Sequence, residues 1–194
     1  EGTTFPMLAP DVAGAAYPAN TGVADFAGRA VLTGIAGRVA GGVAAVGVEN
    51  VRQRPPQSYG PGTDRPRPAH FSRAVLLTEG DRALAFMAGT AAVVDSRTRG
   101  ETVEEQLDVT LDITDQLLST GARVGGGRTL VGGLDALLHL VVYVARPADV
   151  PAVRARLADR VKVPWSCVVA PLTRDDLLVE VDGMAVVELR EAVA

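Results

Sequence analysis

The chain has 194 residues, enough for one generous domain with a core of its own, and 47% of them are hydrophobic against only 4% aromatic, so that core is built from Ala, Val and Leu. A net charge of −4 with scattered arginines argues against nucleic acid and anionic membranes as partners. No apolar run approaches the ~20 residues that span a bilayer, and Glu1-Gly2-Thr3-Thr4-Phe5 lacks a basic stretch followed by an apolar one; a soluble, cytoplasmic protein is expected.

Residues 1–28 are rich in Ala, Gly and Pro without a sustained period and read as irregular. Arg29–Arg38 and Val39–Val48 suggest two strands meeting at Gly41-Gly42, which supplies the positive φ of a tight turn. Residues 50–70 hold five of the twelve prolines and four arginines, the composition of an extended connector. From Phe71 a second unit is expected. Ala74–Glu79 and Arg82–Ala88 form a hairpin around Gly80-Asp81, followed by a small-residue turn over Ala88–Ala92 and a polar loop. Thr102-Val103-Glu104-Glu105 fits a capping box, and the helix it opens runs to about Ser119 with Val103, Leu107, Leu111 and Leu118 on one face, ended by Gly121. The glycine-rich Arg123–Arg128 has no Walker lysine and follows a helix, so it reads as a flexible connection. Leu137–Val144 is a buried strand. Asp149-Val150-Pro151 then opens a helix to about Val161 with Val153 and Leu157 inward. Pro164–Gly183 reads as two short strands around a charged turn, and Met184–Val193 as one more strand, at an edge. Two helices on one face of a mixed sheet satisfy this order, which is an α+β fold.

Within Leu177–Asp182 the side chains alternate, so Leu177, Val179 and Val181 point one way and Leu178, Glu180 and Asp182 the other. A carboxyl placed mid-strand between apolar neighbours is a candidate for a raised pKa, and that suits a general acid working near neutral pH. The same alternation also fits an ordinary acid on a solvated face. The lone Cys167 sits in a strand-like run, where a buried, inert thiol is expected. His70 and His139 have no ligand spacing, and neither a metal nor an organic cofactor is implied.

Several separated segments resemble the chorismatases, two-domain enzymes acting on chorismate whose domains look like the Rid (reactive-intermediate deaminase) fold. Asn50-Val51-Arg52-Gln53, Tyr59-Gly60-Pro61 and Phe71-Ser72-Arg73-Ala74 are similar to the family's Asn-Pro-Arg-Gln, Tyr-Gly-Pro and Phe-Ala/Ser-Arg-Ala stretch. Gly89-Thr90-Ala91 resembles its Gly-Thr-Ala turn, Gln106 with Thr110-Leu111 its helix, and Thr173–Val181 its Cys/Ala-Arg-x-Asp-Leu-Leu-Val-Glu-Ile segment. The resemblance implies a Rid/chorismate-mutase-like mixed sheet: residues 71–194 form the C-terminal-type Rid-like domain, 50–70 are a connector, and 1–49 are a truncated N-terminal Rid-like remnant with a hairpin. Apolar surface left uncovered by the shortened half implies a homo-oligomer, a trimer by analogy with isolated Rid domains.

By the same resemblance Glu180 is the acid/base that cleaves or rearranges the enol ether of chorismate to a hydroxybenzoate or cyclohexadiene diol plus pyruvate. Thr173 stands where Cys or Ala steers the product. Arg174, Arg73, Tyr59 and Thr90 are candidates for substrate contacts, since guanidinium groups hold carboxylates bidentately. For both arginines a surface ion pair is the alternative, Arg174 with Asp175 or Asp176. Three departures stand out. The family's Val-Tyr-Val-Arg strand reads Val142-Tyr143-Val144-Ala145, with Arg146 facing the other side; Asp95 and Ser96 replace expected histidines; the N-terminal half is short. The deaminases' carboxylate-gripping arginine is matched by Trp165, which is either an aromatic wall for a larger ligand or a core residue. Three functions stay open: a chorismatase-like hydrolase or lyase, a divergent biosynthetic enzyme performing acid/base cyclisation, dehydration or hydrolysis of a bulkier metabolite, and a non-catalytic small-molecule-binding protein.

Overall fold

The computed structural model describes residues 22–24, 30–32, 41–56, 71–119, 123–124 and 127–191. Two short strands, β1 (Gly22–Ala24) and β2 (Ala30–Leu32), form an antiparallel ribbon of their own, so part of the stretch expected to be irregular is strand. Gly41 and Gly42 adopt φ of +69° and +88°, the positive values expected there, but the described arms of the expected hairpin pair elsewhere, Ala30–Leu32 with β1 and Ala44–Val48 with a later strand. The following strand, β3 (Ala44–Val48), pairs with β4 (Ala74–Glu79) from Ala44 opposite Thr78 to Val48 opposite Ala74. The main sheet therefore takes an edge strand from residues assigned to the N-terminal remnant.

A two-residue turn at Gly80-Asp81 returns the chain into β5 (Arg82–Ala91). This strand passes straight through the Ala88–Ala91 stretch expected to turn, because Thr90 and Ala91 have ladder partners in Val181 and Glu180. The polar loop contains a small hairpin of β6 (Val93–Val94) and β7 (Arg97–Thr98), with Asp95 left-handed at φ +57°. Helix α1 (Val103–Leu117) starts at the expected capping box: the Glu105 N–H donates to Thr102 Oγ1 at 3.2 Å while Glu105 Oε2 accepts from the Thr102 N–H at 3.2 Å. It ends at the cap residue Leu118, just short of Ser119; Gly121 lies outside the described residues.

The stretch expected to be a flexible connection is a hairpin, β8 (Arg123–Val124) against β9 (Arg128–Val131). Next come β10 (Leu137–Val144), α2 (Val150–Arg160), β11 (Trp165–Val169) and β12 (Val179–Glu191). A parallel pair needs a crossover, and α2 supplies it between β10 and β11. The two strands expected over 177–182 and 184–193 are one strand, β12. It runs not at an edge but between β10 and β5, giving the order β11-β10-β12-β5-β4-β3, with β9 on its far half.

Gly183 explains the misreading. It marks a bulge rather than a turn: the register of β12 shifts between Val181 and Gly183 against β5, and a Cβ at Gly183 would collide with the His139 carbonyl oxygen of β10. Both helices cover one face. Leu107, Leu111, Leu140, Val142, Leu157, Val181 and Val187 meet there almost without exposure, each such side chain stabilising the fold by roughly 1.5–3 kcal/mol. The opposite face of β12 carries Glu180, Asp182, Met184, Val186 and Glu188, with Met184 and Val186 exposed.

Candidate active site

Glu180 lies on the open face because Val179 and Val181 on either side are fully buried beneath the helices. Its ladder partners are Tyr143 of β10 and Ala91 of β5. Two residues on, Asp182 shares the face and accepts a hydrogen bond from the Tyr143 hydroxyl at 3.0 Å. Burial first, and then the Asp182 charge, push the Glu180 carboxyl up to about 7, against the pull of Arg73. Burial, with Asp182 and Glu180 adding to it, holds the Tyr143 phenol well above its ordinary value, so it remains a proton donor. Of the two readings of Glu180, the fully solvated acid does not hold: this carboxyl is partly buried and retains a proton near neutral pH.

Arg73 is 5% exposed, which is rare for a guanidinium. Its carbonyl accepts from the Ala88 N–H at 2.9 Å, its Nη2 donates to the Arg54 carbonyl at 3.1 Å, and its guanidinium carbon sits 5.1 Å from the Phe71 ring centre. Anchored by these contacts, the cation acts on Glu180 and also on Glu49, whose carboxyl burial pushes up to about 7. Glu49 has no periodic signal in the sequence, being a lone acid just past the end of β3. A buried cation flanked by two proton-holding carboxyls can hold an anionic group and deliver a proton to it.

The other expected site residues fall elsewhere. Thr90 lies opposite fully buried Val181, is 1% exposed and spends its hydroxyl on the Ala88 carbonyl, so it belongs to the helix side. Trp165 also faces the helices: it pairs with Leu140, packs on the core and lies 5.4 Å from the Arg154 guanidinium. It is therefore a core residue rather than a wall beside Glu180. Arg174 is in the alternative ion pair, bidentate to Asp176 at 3.0 and 2.8 Å. Thr173 is exposed in the loop that leads to Glu180. Tyr59 lies outside the described residues. Arg146 turns away to Asp149 at 2.6 Å, so Ala145 leaves the strand position without a cation. The Cys167 thiol is raised by burial, opposed by Arg154, which fits an unreactive group. Among the described residues no group of three or more His, Cys, Asp or Glu could hold a metal ion, and no helix is long and apolar enough to cross a membrane.

The motif residues around the site prove to be braces. Asn50 Nδ2 donates to the Ile113 carbonyl at 2.9 Å, and Gln53 Nε2 to the Val93 carbonyl at 3.0 Å, fixing the chain beside Glu49 against α1 and β6. Gln106, 2% exposed, donates to the Gly100 and Asp176 carbonyls and accepts from the Leu178 N–H at 2.8 Å. That fastens α1 to the entry of β12.

A hairpin, helix and strand-helix-strand crossover on one mixed sheet, with both helices on one face, is the Rid-like α+β fold that the resemblance to the chorismatases implied. Sequence comparison reaches further. The chain is 33% identical over 175 residues to a 3-hydroxybenzoate synthase of Streptomyces hygroscopicus and 32% identical over 174 residues to a chorismatase of the same organism. Those alignments take in 87% and 88% of this chain but 50% and 49% of the relatives, so the chain spans about half the length of the curated relatives it matches. The crystal structure of a chorismatase superposes with a TM-score of 0.63 at 29% identity, over 73% of this chain and 44% of that one. No protein-family model matches. The chain belongs to the chorismatase family.

Proposed function

We propose that the protein acts on chorismate, cleaving its enol ether to pyruvate and a hydroxybenzoate or cyclohexadiene diol, with Glu180 as acid and base. The observation that carries this reading is the partly buried carboxyl of Glu180, protonated near neutral pH, in the field of the fixed Arg73 guanidinium. Protonated Glu180 gives its proton to the terminal methylene carbon of the enol ether, whose π electrons form the new C–H bond and leave an oxocarbenium ion. Water adds to the ether-bearing carbon of that cation and loses a proton to the Glu180 carboxylate, the resulting hemiketal collapses to pyruvate and a cyclohexadiene diol, and loss of water from the diol would give the hydroxybenzoate. Arg73 steadies a substrate carboxylate, since a charge-assisted contact of this kind contributes roughly 1.5–3 kcal/mol. Thr173, exposed in the loop that leads to Glu180, borders the substrate in this reading. The exposed Val168, Met184 and Val186 of the open sheet face support a homo-oligomer, a trimer, formed by copies packing that face; sedimentation of the purified chain at a single-copy mass would exclude it.

A second reading is favoured by Ala145 and by the engagement of Arg174 with Asp176, which leave fewer cations for a dicarboxylate. In it the same carboxyl serves a cyclisation, dehydration or hydrolysis of a bulkier metabolite. Incubating the folded chain with chorismate separates the two. Stoichiometric pyruvate supports the first, and none after many hours supports the second.

A further inference from the structure

We propose that Asp182 is the specificity-determining residue of this site: its carboxylate, positioned by the Tyr143 hydroxyl, receives the ring hydroxyl of the substrate and so brings the enol ether onto Glu180. The role rests on the reading of the chain as acting on chorismate. Chorismate carries that hydroxyl on the carbon next to its ether and across the ring from one carboxylate.

The placement follows from the ladder. Asp182 lies two residues from Glu180 on the open face of β12, about 7 Å along the strand. Tyr143 of β10 stands directly opposite Glu180, yet its hydroxyl donates to Asp182 Oδ2 at 3.0 Å. Its ring therefore runs from beside one acid to the other and borders both on the β10 side. Asp182 is only partly buried, and among the described residues its other oxygen, Oδ1, accepts no hydrogen bond. That oxygen can take a donor from a ligand.

On the β5 side there is room for the ligand. The register shift sets Ala88 and Gly89 together against Asp182, and Ala91 against Glu180, so β5 raises nothing larger than a methyl beside the two acids. The Ala88 N–H in turn bonds the Arg73 carbonyl at 2.9 Å. Asp182, Ala88 and Arg73 thus form one row across the sheet, with Glu180 in the row beside it. Two strand spacings separate the ends of that row by about 10 Å of backbone, which two side chains and one six-membered ring between them fill. A ring lying there with its carboxylate at the Arg73 end presents the hydroxyl to Asp182 and the neighbouring ether to Glu180. Turned around, it sets a carboxylate against the Asp182 charge, which disfavours that orientation.

Binding of benzoate and of 4-hydroxybenzoate to the purified chain near neutral pH isolates the hydroxyl without requiring turnover. The two acids differ only in the hydroxyl across the ring from the carboxylate. Calorimetry should give tighter binding of 4-hydroxybenzoate by about tenfold or more, the value of a hydrogen bond to a charged acceptor. In Asp182→Ala the preference should vanish while benzoate binds no more weakly. In Tyr143→Phe the acceptor remains without its positioning, so the preference should shrink with benzoate affinity held. A wild type that binds the two acids alike, or binds neither, overturns the inference, as does a preference that survives Asp182→Ala or an equal weakening of both acids. An undiminished preference in Tyr143→Phe overturns the positioning by the phenol. If Asp182→Ala does not fold, Asp182→Asn decides: the preference falls several-fold, or the inference fails. Pyruvate release from chorismate tests the underlying reading separately. Release by a wild type without the hydroxyl preference sinks the inference alone, whereas a preference lost in Asp182→Ala with no pyruvate from the wild type sinks the chorismate reading and leaves Asp182 as a hydroxyl-binding residue.

Discussion

Replacing Gln106 by Leu tests whether the site is held by the brace between α1 and the entry of β12. The substitution keeps the volume of the side chain approximately and removes three hydrogen bonds, to the carbonyls of Gly100 (3.2 Å) and Asp176 (2.9 Å) and from the N–H of Leu178 (2.8 Å). A buried polar group left unpaired costs about 1–3 kcal/mol. The Asp176–Leu178 turn is at the surface, so water recovers part of the loss, and a net destabilisation of about 2–4 kcal/mol is expected. For a chain of this size that lowers Tm by roughly 4–16 °C. Urea unfolding should show a lower midpoint with an unchanged slope. Because Leu178 is two residues before Glu180, kcat should also fall in the fraction that remains folded. A loss below about 1 kcal/mol, with kcat unchanged, would refute the brace.

Two further outcomes follow from the sheet. Gly183→Ala normally helps a strand by removing backbone entropy from the unfolded chain, but here the added Cβ meets the His139 carbonyl; urea unfolding should show a loss of about 1–3 kcal/mol, and a gain would refute the close approach. The pH dependence of stability isolates Glu180. Its folded pKa is raised from 4.5 to about 7, so between those values the folded state binds more protons than the unfolded one and stability falls as pH rises. Glu180→Gln should therefore gain stability relative to wild type across that window, by an amount on the order of 1–3 kcal/mol at its upper end. Parallel stability curves for the two proteins from pH 4 to 8 would contradict the burial assigned to this carboxyl.

Elements whose signals are local were legible in the sequence. The Thr102–Glu105 capping box, the Gly80-Asp81 turn and the apolar run Leu137–Val144 each specify their structure within a few residues, and they form as expected. Features decided by partners were not. Gly183 looks like a break until β10 is seen pressing against it. Trp165 could face either way, because the side it takes is set by the parallel register of β11 on β10, which nothing in its own strand encodes. The glycines before Arg128 read as slack, yet Gly127 at φ +74° makes a turn onto β9 that the edge of β12 stabilises. Glu180 was legible from strand alternation. Arg73 was legible only by resemblance, and Glu49 not at all, since its importance lies in meeting Arg73 across a ladder that also joins the residues on either side of the 50–70 connector.

The central claim is that the Glu180 carboxyl, held in its acid form by burial and the Asp182 charge against the pull of Arg73, carries the chemistry. Pyruvate release from chorismate, followed from pH 5 to 9 in the wild type and in Glu180→Gln, tests it most directly. Activity in the wild type should be present at low pH and decline as pH rises through about 7, where the acid form is lost, and the variant should be slower by at least about a hundredfold throughout. Wild-type pyruvate release that persists undiminished in Glu180→Gln would contradict the account.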